Sequence, residues 1–181
     1  MGIHKRTHIE RLCALPEVAA AWRAAHGRAP GAADVDAMFA DFLPLQLSVL
    51  RDHAEPVIGC VEAVAALRAR GLRIGSTTGF TRAMMDVLAP EARRRGFAPE
   101  VIVCADEVAR ARPSPDMCLR NVVELGVSSP AACVKVDDTV VGIEEGRRAG
   151  MWTVGVVMTG NETARSMAST TVQRPSPESG T

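Results

Sequence analysis

The apolar residues divide the chain into a helical first part and a second part in which short apolar runs alternate with helices. In the first part, the segments "HIERLCAL", "EVAAAWRAAHG" and "GAADVDAMFADFLPLQLSVLRDHA" carry apolar residues at helical spacing. Pro16 and Gly27 mark the breaks between these segments, because proline starts or ends a helix and glycine commonly follows one. Three helices without a strand between them predict a small helical subdomain over residues 1–55.

The pattern changes over residues 56–160, where apolar runs typical of strands appear. The runs are "LRIGST", "EVIVCA", "CVKVDD" and "MWTVGVV", and a helical pattern follows each of the first three. Such alternation predicts an α/β domain with a parallel sheet covered by helices on both faces. Residues 161–181 lose all periodicity and are rich in Ser, Thr and Pro, which predicts a disordered tail.

Composition narrows the possible partners. Lys and Arg number 21 and Asp and Glu number 21, so the formal net charge is zero and nothing points to nucleic acid or to an anionic membrane surface. No apolar run approaches the length needed to span a membrane. The five cysteines are scattered without a CxxC pair, which predicts reduced thiols and a cytoplasmic location.

Three predicted strand ends carry residues that suit phosphate chemistry. Ligands of parallel α/β sheets bind beyond the carboxyl ends of the strands. Thr78 and Gly79 follow the first predicted strand and offer a hydroxyl and backbone amides to a phosphate oxygen. Arg112 precedes a proline-started helix and offers a planar guanidinium fork. Asp137 and Asp138 end another predicted strand, where a pair of carboxylates favours Mg²⁺.

Each of these residues also has a simpler interpretation. Thr78 is a residue type that commonly caps a helix N-terminus, and Arg112 could be a solvated surface residue. Asp138 could cap the helix that follows it, with Asp137 in solvent. The joint arrangement at three strand ends is more specific than any one of these residues.

Four segments resemble the phosphonoacetaldehyde hydrolase (phosphonatase) family of the haloacid dehalogenase superfamily. They are "MGIHKRTHI", "IGSTTGFTRAMMDVLAP", "ARPSPDMCLRNVVELGV" and "ACVKVDDTVVGIEEGRRAGMWTVGVV". The resemblance covers residues 1–162 and implies a Rossmann-like parallel sheet core with an inserted helical cap. It also implies hydrolysis of the carbon–phosphorus bond of phosphonoacetaldehyde, which yields acetaldehyde and phosphate, with Mg²⁺ as cofactor.

The resemblance assigns roles to particular residues. Lys5 matches the cap lysine that forms a Schiff base with the aldehyde, and His8 matches its proton-handling partner. Met1 flanks them, since positions i, i+4 and i+7 share one helical face. Phosphate binding falls to Thr78, Gly79 and Arg112, and metal binding to Asp138 with Asp137.

The chain also departs from the family pattern. Phe80 stands where the family usually has Tyr, and Asp137 stands where it usually has Gly. The Asp-x-Ala-Gly-Thr segment that carries the family's nucleophile does not occur in the sequence, and the DxD of Asp34 and Asp36 is interpreted as a helix-cap or surface pair. The resemblance therefore implies a chain that begins inside the cap, an incomplete core without its first central strand, and inactivity of the chain alone.

Three other functions remain open. The chain could be a non-catalytic relic or an interaction protein that dimerises through the cap, or a generic phosphatase of the superfamily, against which Lys5 argues. A receiver-like signalling domain fits the sequence less well, because receivers carry their acidic pair after the first strand, whereas Asp137 and Asp138 follow a late strand. The expected partners are a small phosphonate and a second copy of the chain bound through the cap, with neither nucleic acid nor membrane.

Overall fold

A computed structural model describes residues 5–156 and 172–173 of the chain. The helices of the described residues are α1 (Lys5–Cys13), α2 (Pro16–His26), α3 (Ala32–Val49), α4 (Cys60–Ala69), α5 (Arg82–Arg94), α6 (Asp116–Glu124) and α7 (Val140–Arg148). The strands are β1 (Gly75–Thr78), β2 (Val101–Cys104), β3 (Val134–Asp137), β4 (Trp152–Gly155) and β5 (Val172–Gln173). Short 3₁₀ turns follow β2 and precede β3 at Ala105–Glu107 and Pro130–Ala132.

The three predicted helices of the first part are present, and local sequence sets their ends. Pro16 is the first residue of α2. A backbone N–H at this position has no partner within the helix, so proline, which lacks the N–H, costs no hydrogen bond there. Gly27 ends α2 with a φ of 70°, a left-handed conformation that glycine adopts without steric strain. Helix α1 packs against α3 and α2, so the first part forms one helical layer.

Asp34 and Asp36 lie on the first turn and a half of α3, as the sequence predicts for a cap and surface pair. The backbone N–H of Gly31 donates to the Asp34 carboxylate at 2.7 Å, so Asp34 fixes the residue that precedes the helix. Asp36 accepts a hydrogen bond from Arg6 of α1 at 2.7 Å. Both carboxylates therefore serve the packing of the helical layer.

The sheet of the second part consists of two separate parallel pieces. Strand β1 pairs with β2 with Gly75 opposite Val101, and β3 pairs with β4 with Val134 opposite Trp152. Strand β5 adds to β4 in the antiparallel sense. Within residues 5–156 and 172–173, no strand lies between β1 and β3. The α/β class with a parallel sheet is confirmed, and the division agrees with the expected incomplete core.

The prediction that helices cover both faces of the sheet is wrong for β3 among the described residues. Val134 and Val136 are each 56% exposed, whereas Lys135 between them is only 9% exposed. The usual pattern of buried apolar and exposed polar side chains is thus reversed on this strand. The buried core instead lies on the other side, where Cys118 and Val122 of α6 pack against Met151.

Some sequence predictions concern residues that lie outside this description. Met1 and most of the predicted tail, residues 161–181, are among them, although residues 172–173 form β5. No helix in the part of the chain described here combines the length and apolarity needed to cross a bilayer. All five cysteines are free, as the scattered spacing predicts.

Candidate active site

Four charged side chains and one threonine meet in the space between the carboxyl ends of β1 and β3. We call this group the charge cluster; it consists of Arg112, Lys135, Asp137, Glu145 and Thr77. The charged side chains are 0–9% exposed, so two cations and two anions lie out of water together. Buried charges are tolerated when they are paired, and each charge of this cluster has an opposite charge within 3.2 Å, although Glu145 Oε1 has no hydrogen-bond partner.

Arg112 is the hub of the charge cluster. Its Nε donates to Glu145 Oε2 at 2.9 Å, and its Nη2 donates to the carbonyl and hydroxyl oxygens of Thr77 at 3.0 and 2.8 Å. Nη2 also lies 3.1 Å from Asp137 Oδ2. The alternative of a solvated surface arginine is wrong, because the side chain is only 8% exposed.

Lys135 is a second cation at the same place. Its Nζ lies 2.9 Å from Glu145 Oε2 and 3.2 Å from Asp137 Oδ2, and it also donates to the Thr77 hydroxyl. Because Thr77 belongs to β1 and Lys135 to β3, these contacts join the two pieces of the sheet. The charge cluster thus bridges β1 and β3.

Asp137 is not solvated, contrary to the simpler interpretation of the sequence. Burial alone would raise the pKa of Asp137, but Arg112, Lys135 and the hydrogen bonds from Thr139 together hold it below its ordinary value. The Thr139 N–H and hydroxyl donate to Asp137 Oδ1 at 3.0 and 2.8 Å. Both carboxylate oxygens therefore have partners.

Thr139, rather than Asp138, caps helix α7. The Thr139 hydroxyl accepts from the N–H of Gly142 at 3.1 Å, which is the usual N-cap contact. Asp138 is partly buried at the end of β3, next to the charge cluster in sequence. The interpretation of Asp138 as a helix cap is therefore wrong.

Thr78 and Gly79 lie where β1 leads into the loop before α5. The Thr78 hydroxyl accepts from the Phe80 N–H at 3.1 Å, and the cap of α5 is Thr81, which accepts from Met84 N at 3.4 Å. The interpretation of Thr78 as the helix cap is therefore wrong. Its hydroxyl instead holds the turn at the carboxyl end of β1.

Lys5 of α1 lies close to this loop. Lys5 Nζ lies 5.5 Å from the centroid of the Phe80 ring, a cation–π distance, so α1 reaches the turn after β1. Partial burial lowers the pKa of Lys5. The pKa of His8 is also lowered, first by burial and then by nearby positive charges that include Lys5. Both shifts favour the neutral form of the side chain.

The sequence pointed to Arg112 and Asp137 but not to three members of the charge cluster. The sequence pattern favours Thr78 over Thr77, and it does not distinguish Lys135 and Glu145 from other charged residues. A lysine inside the apolar run "CVKV" is the one available signal, since an unpaired lysine there would be costly to bury. Glu145 gave no signal, because its burial depends on cations that come from other elements.

The chemistry of the carboxylates decides which of them suits Mg²⁺. Asp137 is a poor ligand, because its Oδ2 already contacts two cations and its Oδ1 takes two hydrogen bonds. Among the described residues, no group of three or more His, Cys, Asp or Glu side chains could hold a metal. Proteins often bind Mg²⁺ with only one or two carboxylates plus substrate phosphate. Asp138, which follows Asp137 directly and is partly buried, is the other carboxylate at this strand end.

Comparison with known sequences shows the family of the chain. The sequence profile described as haloacid dehalogenase-like hydrolase matches residues 2–150. The chain therefore belongs to the haloacid dehalogenase-like hydrolase family.

The chain is also similar to proteins with a particular name within that class. It is 52% identical over 162 residues to the phosphonoacetaldehyde hydrolase of Nitratidesulfovibrio vulgaris, covering 90% of this chain and 58% of the relative. It is 48% identical over 163 residues to that of Vibrio cholerae, covering 90% of this chain and 60% of the relative. The chain thus spans less than two thirds of the length of these relatives.

Solved structures agree with the sequence comparison. A phosphonoacetaldehyde hydrolase-like protein from Oleispira antarctica superposes with a TM-score of 0.85 and 40% identity, covering 90% of this chain and 59% of that one. A family hydrolase from Deinococcus radiodurans, with bound phosphate and sodium, gives a TM-score of 0.58 at 24% identity, covering 81% of this chain and 62% of that one. The second likeness shows the fold alone.

Proposed function

We propose that this chain carries the Schiff-base and phosphate-binding parts of an active site that hydrolyses the carbon–phosphorus bond of phosphonoacetaldehyde. The observation that carries the proposal is the contact of Lys5 with Phe80, which brings an amine of lowered pKa to the loop after β1. The names of the relatives support the substrate. Residues 1–55 would form the cap and residues 56–160 the core.

Lys5 would supply the covalent step. Its neutral amine adds to the aldehyde carbon, and loss of water gives an imine. Once protonated, the imine accepts the electron pair of the breaking carbon–phosphorus bond, so the carbon departs as an enamine and not as a bare carbanion. The aspartate of the family's Asp-x-Ala-Gly-Thr segment would take the phosphoryl group, and water would then release phosphate from that aspartate and acetaldehyde from Lys5. His8, three residues along the same helix, would transfer the protons that these steps require, and Met1 would flank the amine.

The phosphonate group would lie at the carboxyl ends of β1 and β3. Thr78 and Gly79, at the end of β1 and in the loop after it, would offer a hydroxyl and backbone amides to the phosphonate oxygens. Arg112 would offer its guanidinium group to the same oxygens from inside the charge cluster. Mg²⁺, held by Asp138, would neutralise charge on the phosphonate oxygens. Asp137 would contribute to the charge balance of Arg112 and Lys135 rather than hold the metal.

The Schiff base can be tested without complete turnover. The Asp-x-Ala-Gly-Thr segment is not among the 181 residues, so we expect the chain alone to form the imine but to release little phosphate. The chain is incubated with phosphonoacetaldehyde and borohydride, and peptides are analysed by mass spectrometry. The sequence has only two lysines, Lys5 and Lys135, which makes the assignment of a lysine adduct simple.

The proposal expects an adduct on Lys5 that is lost in Lys5→Arg, a matched variant that keeps the positive charge. An adduct on Lys135, or no lysine adduct in a folded chain, would contradict it. Release of acetaldehyde and phosphate with Mg²⁺ is measured in parallel. Phosphate release from simple phosphate esters without any adduct would favour a generic phosphatase.

We further propose that the protein works as a cytoplasmic homodimer that associates through the cap. Exposed apolar side chains on and next to α1 and α3 support this: Leu12 is 45% exposed, Leu15 40%, Leu45 66% and Val49 40%. Light scattering with size-exclusion chromatography should show a dimer for the wild-type chain and a monomer for Leu45→Glu. A monomeric wild type at micromolar concentration would contradict the dimer.

A further inference from the structure

The two cations of the charge cluster are already paired with a carboxylate at the end of β3, that of Asp137. Arg112 Nη2 and Lys135 Nζ approach one oxygen, Asp137 Oδ2, at 3.1 and 3.2 Å. Glu145 binds the same two cations through its Oε2, each at 2.9 Å, and is fully buried. Asp137 stands at the end of β3, where a ligand of a parallel sheet would bind, while Glu145 comes from within helix α7.

The Asp137 carboxylate is held in this position from its other side. Thr139 donates two hydrogen bonds to Oδ1, so Oδ2 is directed toward the two cations. Gly142 leaves the space that the carboxylate fills: a Cβ at this position would lie 2.1 Å from Asp137 Cγ and 2.2 Å from both carboxylate oxygens. Any side chain at position 142 would therefore displace the carboxylate.

Two cations facing one carboxylate oxygen form an arrangement that also suits a phosphate oxygen. Guanidinium and ammonium groups bind carboxylate and phosphate through the same charge-assisted hydrogen bonds. With Asp137 and Glu145 both in place, the cluster has no net charge, so an incoming anion meets no excess of positive charge. If the anion takes the place of Asp137, the two cations exchange one partner for another and remain compensated.

We propose that Asp137 is a built-in competitor for the anion site formed by Arg112 and Lys135, and that Gly142 exists as glycine to make room for it. The inference rests on the proposed function in one respect, the assignment of Arg112 to phosphate binding. Its consequence is that inorganic phosphate binds this chain more weakly than the two cations alone would allow. Orthophosphate is therefore the probe.

The first test removes the charge and keeps the shape. In Asp137→Asn, binding of orthophosphate, measured by isothermal titration calorimetry, should tighten by about tenfold or more, the usual size of one charge-assisted contact. The thermal stabilisation that orthophosphate gives should rise in parallel, because the anion now compensates a buried cation. Asp41→Asn, the same charge change at an exposed position of α3, should bind orthophosphate as the wild type does.

The second test moves the carboxylate and keeps its charge. Gly142→Ala lies in the first turn and a half of α7, where alanine favours the helix more than glycine does, so folding is not at risk from helix propensity. Its Cβ should turn the Asp137 carboxylate away from the cations and also tighten orthophosphate binding. In the Asp137→Gly background the same change should have no effect. This variant decides the matter if Asp137→Asn does not fold.

The results separate this inference from the proposed function. Unchanged or weaker orthophosphate binding in Asp137→Asn, or in Gly142→Ala where the first variant is unfolded, overturns the competitor role. Tighter binding in Asp137→Asn, or in Gly142→Ala where the first variant is unfolded, supports it, even if no adduct forms on Lys5 and the proposed hydrolysis fails. An adduct on Lys5 with no gain in orthophosphate affinity leaves the proposed function standing and removes the inference.

Discussion

Glu145 and Arg112 form an ion pair of 2.9 Å in which the Glu145 side chain is completely buried. The same Glu145 oxygen lies 2.9 Å from Lys135 and accepts from the Thr77 hydroxyl at 3.0 Å. One carboxylate of helix α7 thus holds together side chains from both pieces of the sheet and from the loop that precedes α6. This relationship makes the stability of the domain depend on a single acidic residue.

Glu145→Gln should destabilise the chain strongly. Removing one partner of a buried ion pair leaves uncompensated charge and costs about 3–5 kcal/mol in the free energy of unfolding. Urea unfolding followed by circular dichroism measures the difference. Glu144→Gln is the matched control, since its side chain is 32% exposed and pairs with arginines on the surface of α7. Equal losses in the two variants would show that the buried cluster is not special.

Phe80→Leu should change the reactivity of Lys5. The aromatic ring stabilises the charged amine, so its removal should lower the pKa of Lys5 further, while Phe80→Tyr keeps the ring and should have little effect. The pH dependence of Lys5 acylation, measured by mass spectrometry, reports this pKa. Identical profiles for the leucine and tyrosine variants would rule out a cation–π contribution.

Glu107 should contribute to the acid sensitivity of the fold. The hydrogen bond from Arg82 is the main cause that lowers its pKa to about 2, from an ordinary value of 4.5. A carboxylate with a depressed pKa stabilises the folded state fully above pH 4.5, and this contribution is lost as the pH falls toward 2. The free energy of unfolding of Glu107→Gln should therefore fall less steeply over this range.

The control for this experiment is Glu124→Gln, which removes an ion pair on the surface. The pair joins Glu124 to Arg120 at 2.6 Å, and both side chains are 41% exposed. Because both side chains are exposed, the loss of this pair should change the free energy of unfolding only slightly. A Glu107→Gln slope indistinguishable from that of wild type would contradict the assignment.

Two of the five thiols should be inert in the folded chain. Burial is the main cause that raises the pKa of Cys104 and of Cys118 to about 12, and their side chains are almost inaccessible. At pH 8, iodoacetamide should label the half-buried Cys60 first and reach the other two only after addition of urea. Labelling of Cys118 in the absence of urea would show that α6 opens readily.

The order of elements could be predicted from the sequence because it depends on local pattern. Helical spacing predicted α1 to α3, and the apolar runs predicted all four parallel strands. The ends were also readable where one residue decides them, as with Pro16 and Gly27. These features depend on residues that are near in sequence and not on contacts between distant parts of the chain.

The partners inside the site could not be predicted in the same way. Thr77 and Thr78 look equivalent in the sequence, but successive residues of a strand point to opposite faces, and only Thr77 reaches Arg112. Whether Glu145 faces solvent or a cation depends on where β3 and the loop before α6 come to lie. The charges at the strand ends can therefore be predicted from the sequence, whereas the contacts of Glu145 with Arg112 and Lys135 cannot.

The close approach of Gly142 to Asp137 restricts which residues can occur together at the two positions. Either position can carry a side chain directed into this space, but both cannot, since a Cβ at 142 would overlap the carboxylate. Substitutions at 137 and 142 should therefore be linked among the relatives of this chain. An acid at the first position should accompany glycine at the second, and a side chain at the second should accompany glycine at the first.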